Sequence, residues 1–431
     1  MVSKQSASRA RNTAYIIPHL AIPAKNSYYK KILLLAKFML SKYAKHVDEK
    51  KIISIVSDLV RENTVNPPGN EHRVKDVVTR LMKELGMEVS YYEKKPGRTN
   101  VVGKLMRGSG KKSLGFVSHM DTVPPGEREL WTSDPFEPVL RGRRLYGRGA
   151  LDDKGSFAAV YSAVRAFLAE CGGEFDGVIY LIAAADEETG SELGVIYLVE
   201  EVGLRFDAGI IPDAGKLHEA VYGEKGVVQL ELVSKGVQAH GSTPELGRNA
   251  LLPLACVVDA LRDVKLGEKW HEEFDGWTMN VGVVEGGSAA NIVPARARAA
   301  VDFRIPEGLT LDDVLRAVGE CIAAARGRYD YTDIDVKVTH QSTPHIVDKN
   351  APIVRNFETA RKRLGMPMKY VTIGGNTVAK NLYEVGIPCI THYPGNDELA
   401  HAPNEYADID DLMAGSVLYA ETLEEYFRKN N

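Results

Sequence analysis

The order of hydrophobic and polar positions in the first half of the chain predicts a layered α/β protein. Short apolar runs bounded by glycine, proline or polar residues indicate strands at 88–93, 99–106, 113–120 and 178–185. The run VIYLIAAA is almost wholly apolar, which is typical of a strand covered on both faces. Helical periodicity predicts helices at 49–62, 71–85 and 154–169, and Gly86 follows the second of these as a left-handed C-cap would. This alternation favours a mixed, largely parallel sheet between helices.

A different pattern begins near residue 226. The predicted order is strand 227–236, helix 249–264, strand 278–287, strand 295–305, helix 310–326 and strand 333–339. This βαββαβ order is the signature of a ferredoxin-like sandwich. After Pro344 the first pattern returns, with a helix near 352–364, a glycine turn at 372–376, a strand at 387–393 and a helix from Ile409.

The simplest domain organisation is one discontinuous α/β domain that carries a smaller inserted domain. The predicted segments are a basic N-terminal extension (1–48), the first part of the larger domain (49–227), the inserted domain (228–341) and the second part of the larger domain (342–431).

Composition and charge exclude several classes of protein. The 54 Lys and Arg nearly balance the 58 Asp and Glu, so the chain lacks the basic excess typical of nucleic-acid binding. The longest apolar run, 32–40, is broken by Lys37 and is far shorter than the ~20 residues that a membrane span needs. The four cysteines (171, 256, 321 and 389) are scattered, which predicts free thiols in a reducing, cytoplasmic setting.

The first 47 residues differ from the rest because they contain nine Lys and Arg and no acidic residue before Asp48. Residues 28–43 fit a short basic amphipathic helix. The segment is expected to be a poorly ordered or surface-docked extension. A targeting peptide, a membrane-surface anchor and a misassigned start codon are the alternatives.

Acidic and histidine side chains follow several of the predicted strands. In chain order, they are His119, Asp121, Asp152, Asp153, Asp186, Glu187, Glu188, Asp213 and His401. His119 and Asp121 are two residues apart and would share a face of an extended segment, so His119 could ligate a metal while Asp121 holds its other ring nitrogen.

Each of these residues also has a simpler explanation. The His119–Asp121 pair could be structural, Asp152 and Asp153 could be solvated turn residues, and Glu187 and Glu188 could begin a helix. Together, however, they follow strands of an α/β sheet, where ligand sites gather. Imidazole and carboxylate donors without thiolates suit two Zn²⁺ ions, or Co²⁺ or Mn²⁺, that share one carboxylate.

The sequence resembles the di-zinc amidohydrolases that include acetylornithine deacetylase, succinyl-diaminopimelate desuccinylase, aminoacylase, glutamate carboxypeptidase, carnosinase and bacterial dipeptidases. The resemblance covers about residues 49–430. It rests on SHMDTVPPG, WTSDPFEPVLRGRRLYGRGALDDKG, ADEETGS, IIPDAG, AHGSTPELGRNA, GGSAANIVPARARAAVDFRIP, TIGGN and HAPNEY, in family order. One departure concerns the glycine turn, which reads GGNTVAK where many relatives have GGT followed by Asp.

The resemblance implies a role for individual positions. One metal would be held by His119 and Asp213, the other by Glu188 and His401, and Asp152 would bridge them. Glu187 would be the general base, with Asp121 as the partner of His119. His240 would polarise the scissile carbonyl, often in a partner subunit's site, although it could also cap the loop before Pro244. Asn291, Arg304, Gly374 and Gly375 would contact substrate, although Arg304 could instead pair with Asp302.

The resemblance also implies a reaction. It is hydrolysis of an amide bond next to a free carboxylate, in a dipeptide, an N-acyl amino acid or a folate-like compound, by a water shared between the two metals. The alternative enzymes are a biosynthetic acetylornithine deacetylase or succinyl-diaminopimelate desuccinylase, and a non-catalytic binding relative is a third possibility. Family habit suggests a homodimer joined through the inserted domain, which would also act as a lid.

Overall fold

The computed structural model describes residues 38, 40–366 and 369–428. Within these residues the α-helices are α1 (Glu49–Arg61), α2 (Lys75–Glu84), α3 (Lys154–Glu170), α4 (Val195–Glu200), α5 (Leu251–Leu261), α6 (Leu311–Arg328), α7 (Pro352–Arg363), α8 (Ala379–Glu384) and α9 (Ile409–Phe427). The strands are β1 (Glu88–Glu93), β2 (Thr99–Arg107), β3 (Ser113–His119), β4 (Val139–Arg141), β5 (Arg144–Tyr146), β6 (Gly177–Ala184), β7 (Ala208–Ile211), β8 (Glu219–Glu224), β9 (Gly226–Lys235), β10 (Ala239–His240), β11 (Thr278–Gly286), β12 (Ile292–Val293), β13 (Arg296–Ile305), β14 (Asp333–Ser342), β15 (His345–Ile346), β16 (Lys369–Ile373), β17 (Cys389–Thr391) and β18 (Tyr406–Asp408).

A nine-stranded mixed sheet forms the centre of the larger domain. Its order is β1-β2-β6-β3-β7-β17-β8-β15, and β16 also pairs with β8. The middle strands β6, β3, β7 and β17 are parallel to one another. Successive residues of β3 enter different apolar cores, since Phe116 packs with α1, α3 and α9 while Val117 packs with α4 and α8. The sheet is therefore covered on both faces, as its apolar runs predict.

A smaller antiparallel sheet has the order β11-β13-β9-β14. Apolar side chains of α5 and α6 pack on this sheet and form a separate core between Val228 and Ile334. The observed strand and helix order is the predicted βαββαβ order, so the predicted fold class is confirmed. The sheet extends slightly past the predicted boundaries of 228 and 341, because β9 begins at Gly226 and β14 ends at Ser342.

Local capping explains where several predicted helices begin. The side chain of Asp48 accepts a hydrogen bond from the backbone of Lys51 at the start of α1, and Thr310 forms a capping box at the start of α6. The helix predicted over 71–85 starts as a 3₁₀ turn and becomes α-helical at Lys75. It ends at Gly86, whose φ of 74° is the left-handed value expected of a C-cap.

The described residues before α1 pack against the C-terminal helix. Phe38 and Tyr43 are almost fully buried, and the Tyr43 hydroxyl donates a hydrogen bond to Glu424 at 3.0 Å. The predicted basic helix at 28–43 lies largely outside the described residues. None of the helices in the described part of the chain is long and apolar enough to cross a membrane.

Candidate metal centre

Several of the predicted site residues lie at one edge of the central sheet. His119 ends β3, Glu187 and Glu188 follow β6, and Asp213 follows β7. His401 lies in the loop after the adjacent strand β17. Because these strands are parallel, their carboxyl ends meet at the same edge, where open α/β sheets bind ligands.

The predicted metal ligands form two groups that share one carboxylate. In the first group, Asp152 Oδ1 is 2.8 Å and Asp213 Oδ1 is 3.9 Å from His119 Nε2. In the second, His401 Nε2 is 3.2 Å from Asp152 Oδ2 and 3.1 Å from Glu188 Oε2. Within each group the donor atoms all lie within 4.8 Å of one another. Both groups contain Asp152, and each combines imidazole and carboxylate donors of the kind that could hold a divalent cation.

The electrostatics of this cluster also suit cations. Hydrogen bonds that the His401 imidazole donates to the carboxylates of Asp152 and Glu188 raise the pKa of His401 to about 10. Burial raises the pKa of Asp213 to about 7, and burial with the charge of Asp213 holds the pKa of Glu187 well above its ordinary value. Raised pKa values of this kind are expected where several carboxyl groups are buried close together.

Asp121 is fully buried behind the first group. Its carboxylate lies 3.5 Å from His119 Nδ1, whereas the backbone carbonyl of Asp121 lies only 3.0 Å from that nitrogen. Both oxygens favour the tautomer that carries the proton on Nδ1, which leaves the lone pair of Nε2 on the side of Asp152. The same carboxylate accepts hydrogen bonds from the backbone N–H groups of Glu187 and Glu188, each at 3.1 Å. Asp121 thus orients His119 and also fixes the turn that carries the predicted base.

Asp153 has a structural contact that its sequence position did not suggest. It is fully buried, and its Oδ2 accepts a hydrogen bond from the backbone N–H of His119 at 3.1 Å. The second acid of the pair therefore supports the end of β3, while Asp152 faces the histidines.

His240 and Asn291 lie together in the smaller domain but apart from the metal cluster. His240 is exposed on β10, its Nδ1 lies 2.7 Å from Ser242 Oγ, and the carbonyl of Asn291 accepts a hydrogen bond from Gly241 at 2.8 Å. The imidazole also accepts from the backbone N–H of Ser242, so the local capping arrangement is present. Among the described residues, no hydrogen bond or ion pair joins His240 to the metal cluster.

Arg304 contacts both Asp302, its predicted alternative partner, and the glycine turn. It pairs with Asp302 through Nε at 2.7 Å and Nη2 at 3.2 Å, and its Nη1 donates to the carbonyl of Gly374 at 3.2 Å. Gly374 and Gly375 are exposed. The space beside Gly374 is open, so its backbone is accessible to a ligand.

A buried polar network lies behind the turn that carries Glu187 and Glu188, and the sequence did not predict it. Arg98 donates two hydrogen bonds of 2.7 Å to Glu71 and one of 2.8 Å to Asp186. Asn66 donates to Asp121 at 2.9 Å and to Asp186 at 3.2 Å. Asn66 and Glu71 belong to the segment VNPPGNE, which joins the first two predicted helices and contains no predicted site residue.

The sequence also did not predict a second buried pair, Arg148 and Glu405. Both residues lie within motifs that carry the family resemblance, but no feature of the sequence indicated that they pair. Arg148 Nη1 donates to Glu405 Oε2, and the two side chains are 1% and 0% exposed.

Comparisons with known proteins agree with this geometry. Residues 115–425 match the model of peptidase family M20/M25/M40. An uncharacterised metallohydrolase of Methanocaldococcus jannaschii is 31% identical over 410 residues, covering 86% of this chain and 98% of the relative. A succinyl-diaminopimelate desuccinylase of Rhodopseudomonas palustris is 28% identical over 391 residues, covering 87% and 98%.

A solved structure supports the fold. A tripeptidase from Staphylococcus aureus superposes with a TM-score of 0.76 at 22% identity, covering 89% of this chain and 100% of that one. The family match spans most of the chain and includes every predicted metal ligand. The chain therefore belongs to peptidase family M20/M25/M40 and is a metallohydrolase of that family.

Proposed function

We propose that this metallohydrolase cleaves an amide bond next to a free carboxylate, in a dipeptide or an N-acyl amino acid. The proposal rests on the two donor groups that share Asp152 at the carboxyl edge of the sheet. Relatives named as a desuccinylase and a tripeptidase support an amide substrate.

We propose two Zn²⁺ ions as cofactors, with Co²⁺ or Mn²⁺ as substitutes. His119 and Asp213 would hold one ion, Glu188 and His401 the other, and Asp152 both. A pair of bound divalent cations lowers the pKa of water and polarises a carbonyl oxygen. Three carboxylates and two neutral imidazoles would balance most of the charge of the two cations, and this balance supports the assignment.

Glu187 is the proposed general base. It precedes Glu188, its backbone N–H donates to Asp121, and the charge of Asp213 contributes to the raised pKa of its carboxyl group. These contacts support a position beside the proposed metal ligands. In this role it takes a proton from the attacking water and returns it to the leaving amine. A positioned base of this kind contributes about 10²–10⁴-fold to the rate.

Substrate recognition is assigned to the smaller domain and the glycine turn. Arg304 would bind the substrate carboxylate beside Gly374 and Gly375, exchanging part of its contact with Asp302. His240 would stabilise the oxyanion and Asn291 would contact the substrate, either from the same chain after lid closure or from a second copy.

A homodimer through the inserted domain (228–341) is part of the proposal. Strand β11 lies at the edge of the smaller sheet, and Val283 and Val284 on it are 38% and 50% exposed. An apolar edge strand of this kind is suited to pairing with another strand. We also propose a cytoplasmic location, which the four free cysteines support.

The test compares purified wild-type protein with Glu187→Gln and Glu187→Ala after loading with Zn²⁺ or Co²⁺. The substrates are dipeptides, N-acetyl amino acids, N-acetylornithine and succinyl-diaminopimelate. Both variants should keep both metals and lose about 10²–10⁴-fold in kcat. Glu192→Gln is the control, because Glu192 is an exposed acid in the same loop.

The outcomes separate the candidate functions. Turnover of either Glu187 variant at the parent rate would remove Glu187 from the mechanism. Activity confined to N-acetylornithine or succinyl-diaminopimelate would favour the biosynthetic alternative. Inactivity of the metal-loaded wild type on the whole panel would overturn the hydrolase proposal and favour a non-catalytic binding protein.

A further inference from the structure

The buried pair Arg148 and Glu405 joins two distant parts of the chain. Arg148 follows β5 and Glu405 precedes β18, and these strands pair antiparallel with Tyr146 opposite Tyr406. The backbone N–H of Gly147 also donates to the carbonyl of Glu405 at 3.1 Å. The small sheet therefore places the two charged side chains against each other in the interior.

Each side chain of the pair also forms a hydrogen bond with the backbone of a proposed metal ligand. Glu405 Oε1 accepts hydrogen bonds from the N–H groups of Leu151 at 2.8 Å and Asp152 at 3.0 Å. Arg148 Nη2 donates to the carbonyl of His401 at 3.1 Å. One ion pair thus holds the backbone of Asp152, the proposed bridging residue, and of His401.

The histidine needs this support because of its backbone. His401 has a φ of 64°, a left-handed conformation that residues other than glycine rarely adopt. Its imidazole is 55% exposed, so little packing holds it. The guanidinium of Arg148 is itself fixed, since it lies 5.3 Å from the centre of the Trp131 ring and is buried.

The other proposed subsite is held differently. His119 ends β3, with its backbone N–H bound by Asp153, and Asp213 follows β7. Within the described residues, no hydrogen bond or ion pair runs from Arg148 or Glu405 to His119 or Asp213. Loss of the pair should therefore weaken the Glu188–His401 subsite more, because it removes support from both His401 and Asp152, whereas the other subsite is affected only through the shared Asp152.

We propose that Arg148 and Glu405 are positioning residues that set metal affinity at the Glu188–His401 subsite. The inference rests on the proposed ligation of two cations. It adds that this subsite depends on the ion pair through both His401 and Asp152, whereas the His119–Asp213 subsite depends on it only through the shared Asp152.

The experiment is a calorimetric titration of the metal-free proteins with Zn²⁺. Arg148→Lys keeps the positive charge but lacks the fork that reaches both Glu405 and His401. The double variant Arg148→Met/Glu405→Gln removes both charges, so no unpaired charge remains in the interior. Arg143→Met is the matched control, because Arg143 lies in the turn between β4 and β5 of the same small sheet and pairs with Asp410 at the surface.

The wild type and Arg143→Met should bind two Zn²⁺ ions. Both Arg148 variants should bind the second ion about 10–100-fold more weakly than the wild type, and the first ion should lose much less affinity. Two unchanged affinities would overturn the inference and leave the proposed function intact. Equal weakening of both affinities, together with a lower melting temperature of the metal-free protein, would do the same. Failure of the wild type to bind two ions would instead overturn the proposed function.

Discussion

The network of Glu71, Arg98 and Asp186 gives a stability prediction that can be worked out from its contacts. The three side chains are 0%, 5% and 6% exposed, and three hydrogen bonds of 2.7–2.8 Å join them. Arg98→Met would leave two carboxylates in the interior without a cation. Removing one partner of a buried ion pair typically costs about 3–5 kcal/mol in the free energy of unfolding, and we expect a loss in that range.

The assay is urea unfolding of the metal-free proteins at neutral pH, with the free energy extrapolated to water. The double variant Arg98→Met/Glu71→Gln should be more stable than Arg98→Met alone, because one uncompensated carboxylate is gone. Arg80→Met is the control, since Arg80 is half exposed and its surface pairs are worth at most about 1 kcal/mol. A loss below about 1 kcal/mol for Arg98→Met, or no recovery in the double variant, would refute the reasoning.

Three further predictions concern pH, packing and metal. Burial, together with the charge of Arg361, lowers the pKa of His392 from 6.5 to about 3. Between these values only the unfolded chain binds the proton, so stability falls as the pH falls. Urea unfolding at pH 7, 6 and 5 gives the slope of the free energy of unfolding against pH. His392→Gln should flatten this slope by about 1.4 kcal/mol per pH unit. An unchanged slope would contradict the lowered pKa of His392. Tyr43→Phe removes the hydrogen bond to Glu424 and should lower the free energy of unfolding by about 1 kcal/mol. Tyr43→Ala also leaves a cavity and should lower it by about 3–5 kcal/mol. Equal losses in thermal melts would be inconsistent with this packing. Chelation should lower the melting temperature, because the clustered carboxylates then repel one another, and calorimetry with and without excess Zn²⁺ measures the difference.

The central strands and the metal cluster were accessible to sequence reasoning for one physical reason. A strand covered on both faces is a continuous apolar run, and polar residues directly after it mark the edge of the sheet. His119 after β3 and Asp213 after β7 follow this rule, and the structure places their side chains within 3.9 Å of each other. The strand predicted at 387–393 is also present, although it is paired only over Cys389–Thr391.

The short elements could not be predicted in this way. Strands β10, β12 and β15 have two residues each, and helices α4 and α8 have six. Such segments are too short to show a period of 2 or 3.6 residues, and their positions are set by tertiary packing.

The buried ion pairs escaped prediction for a different reason. Arg148 and Glu405 are 257 positions apart in the sequence. The identity of a charged residue in a motif does not indicate whether its side chain is solvated or buried. Only the pairing of β5 with β18 reveals that these two side chains meet.

The chain enters and leaves the smaller domain through neighbouring strands. Glu224 lies opposite His345, and Val227 lies opposite Ser342. The ends of the insert are thus separated by about one interstrand spacing, roughly 4.8 Å, so modules of different length can be grafted at this junction at small entropic cost. The carboxyl ends of β3, β6 and β7 are untouched by such an exchange. Evolution could therefore diversify the substrates by replacing the module, and with it His240 and Arg304, while the proposed metal ligands and Glu187 are inherited unchanged.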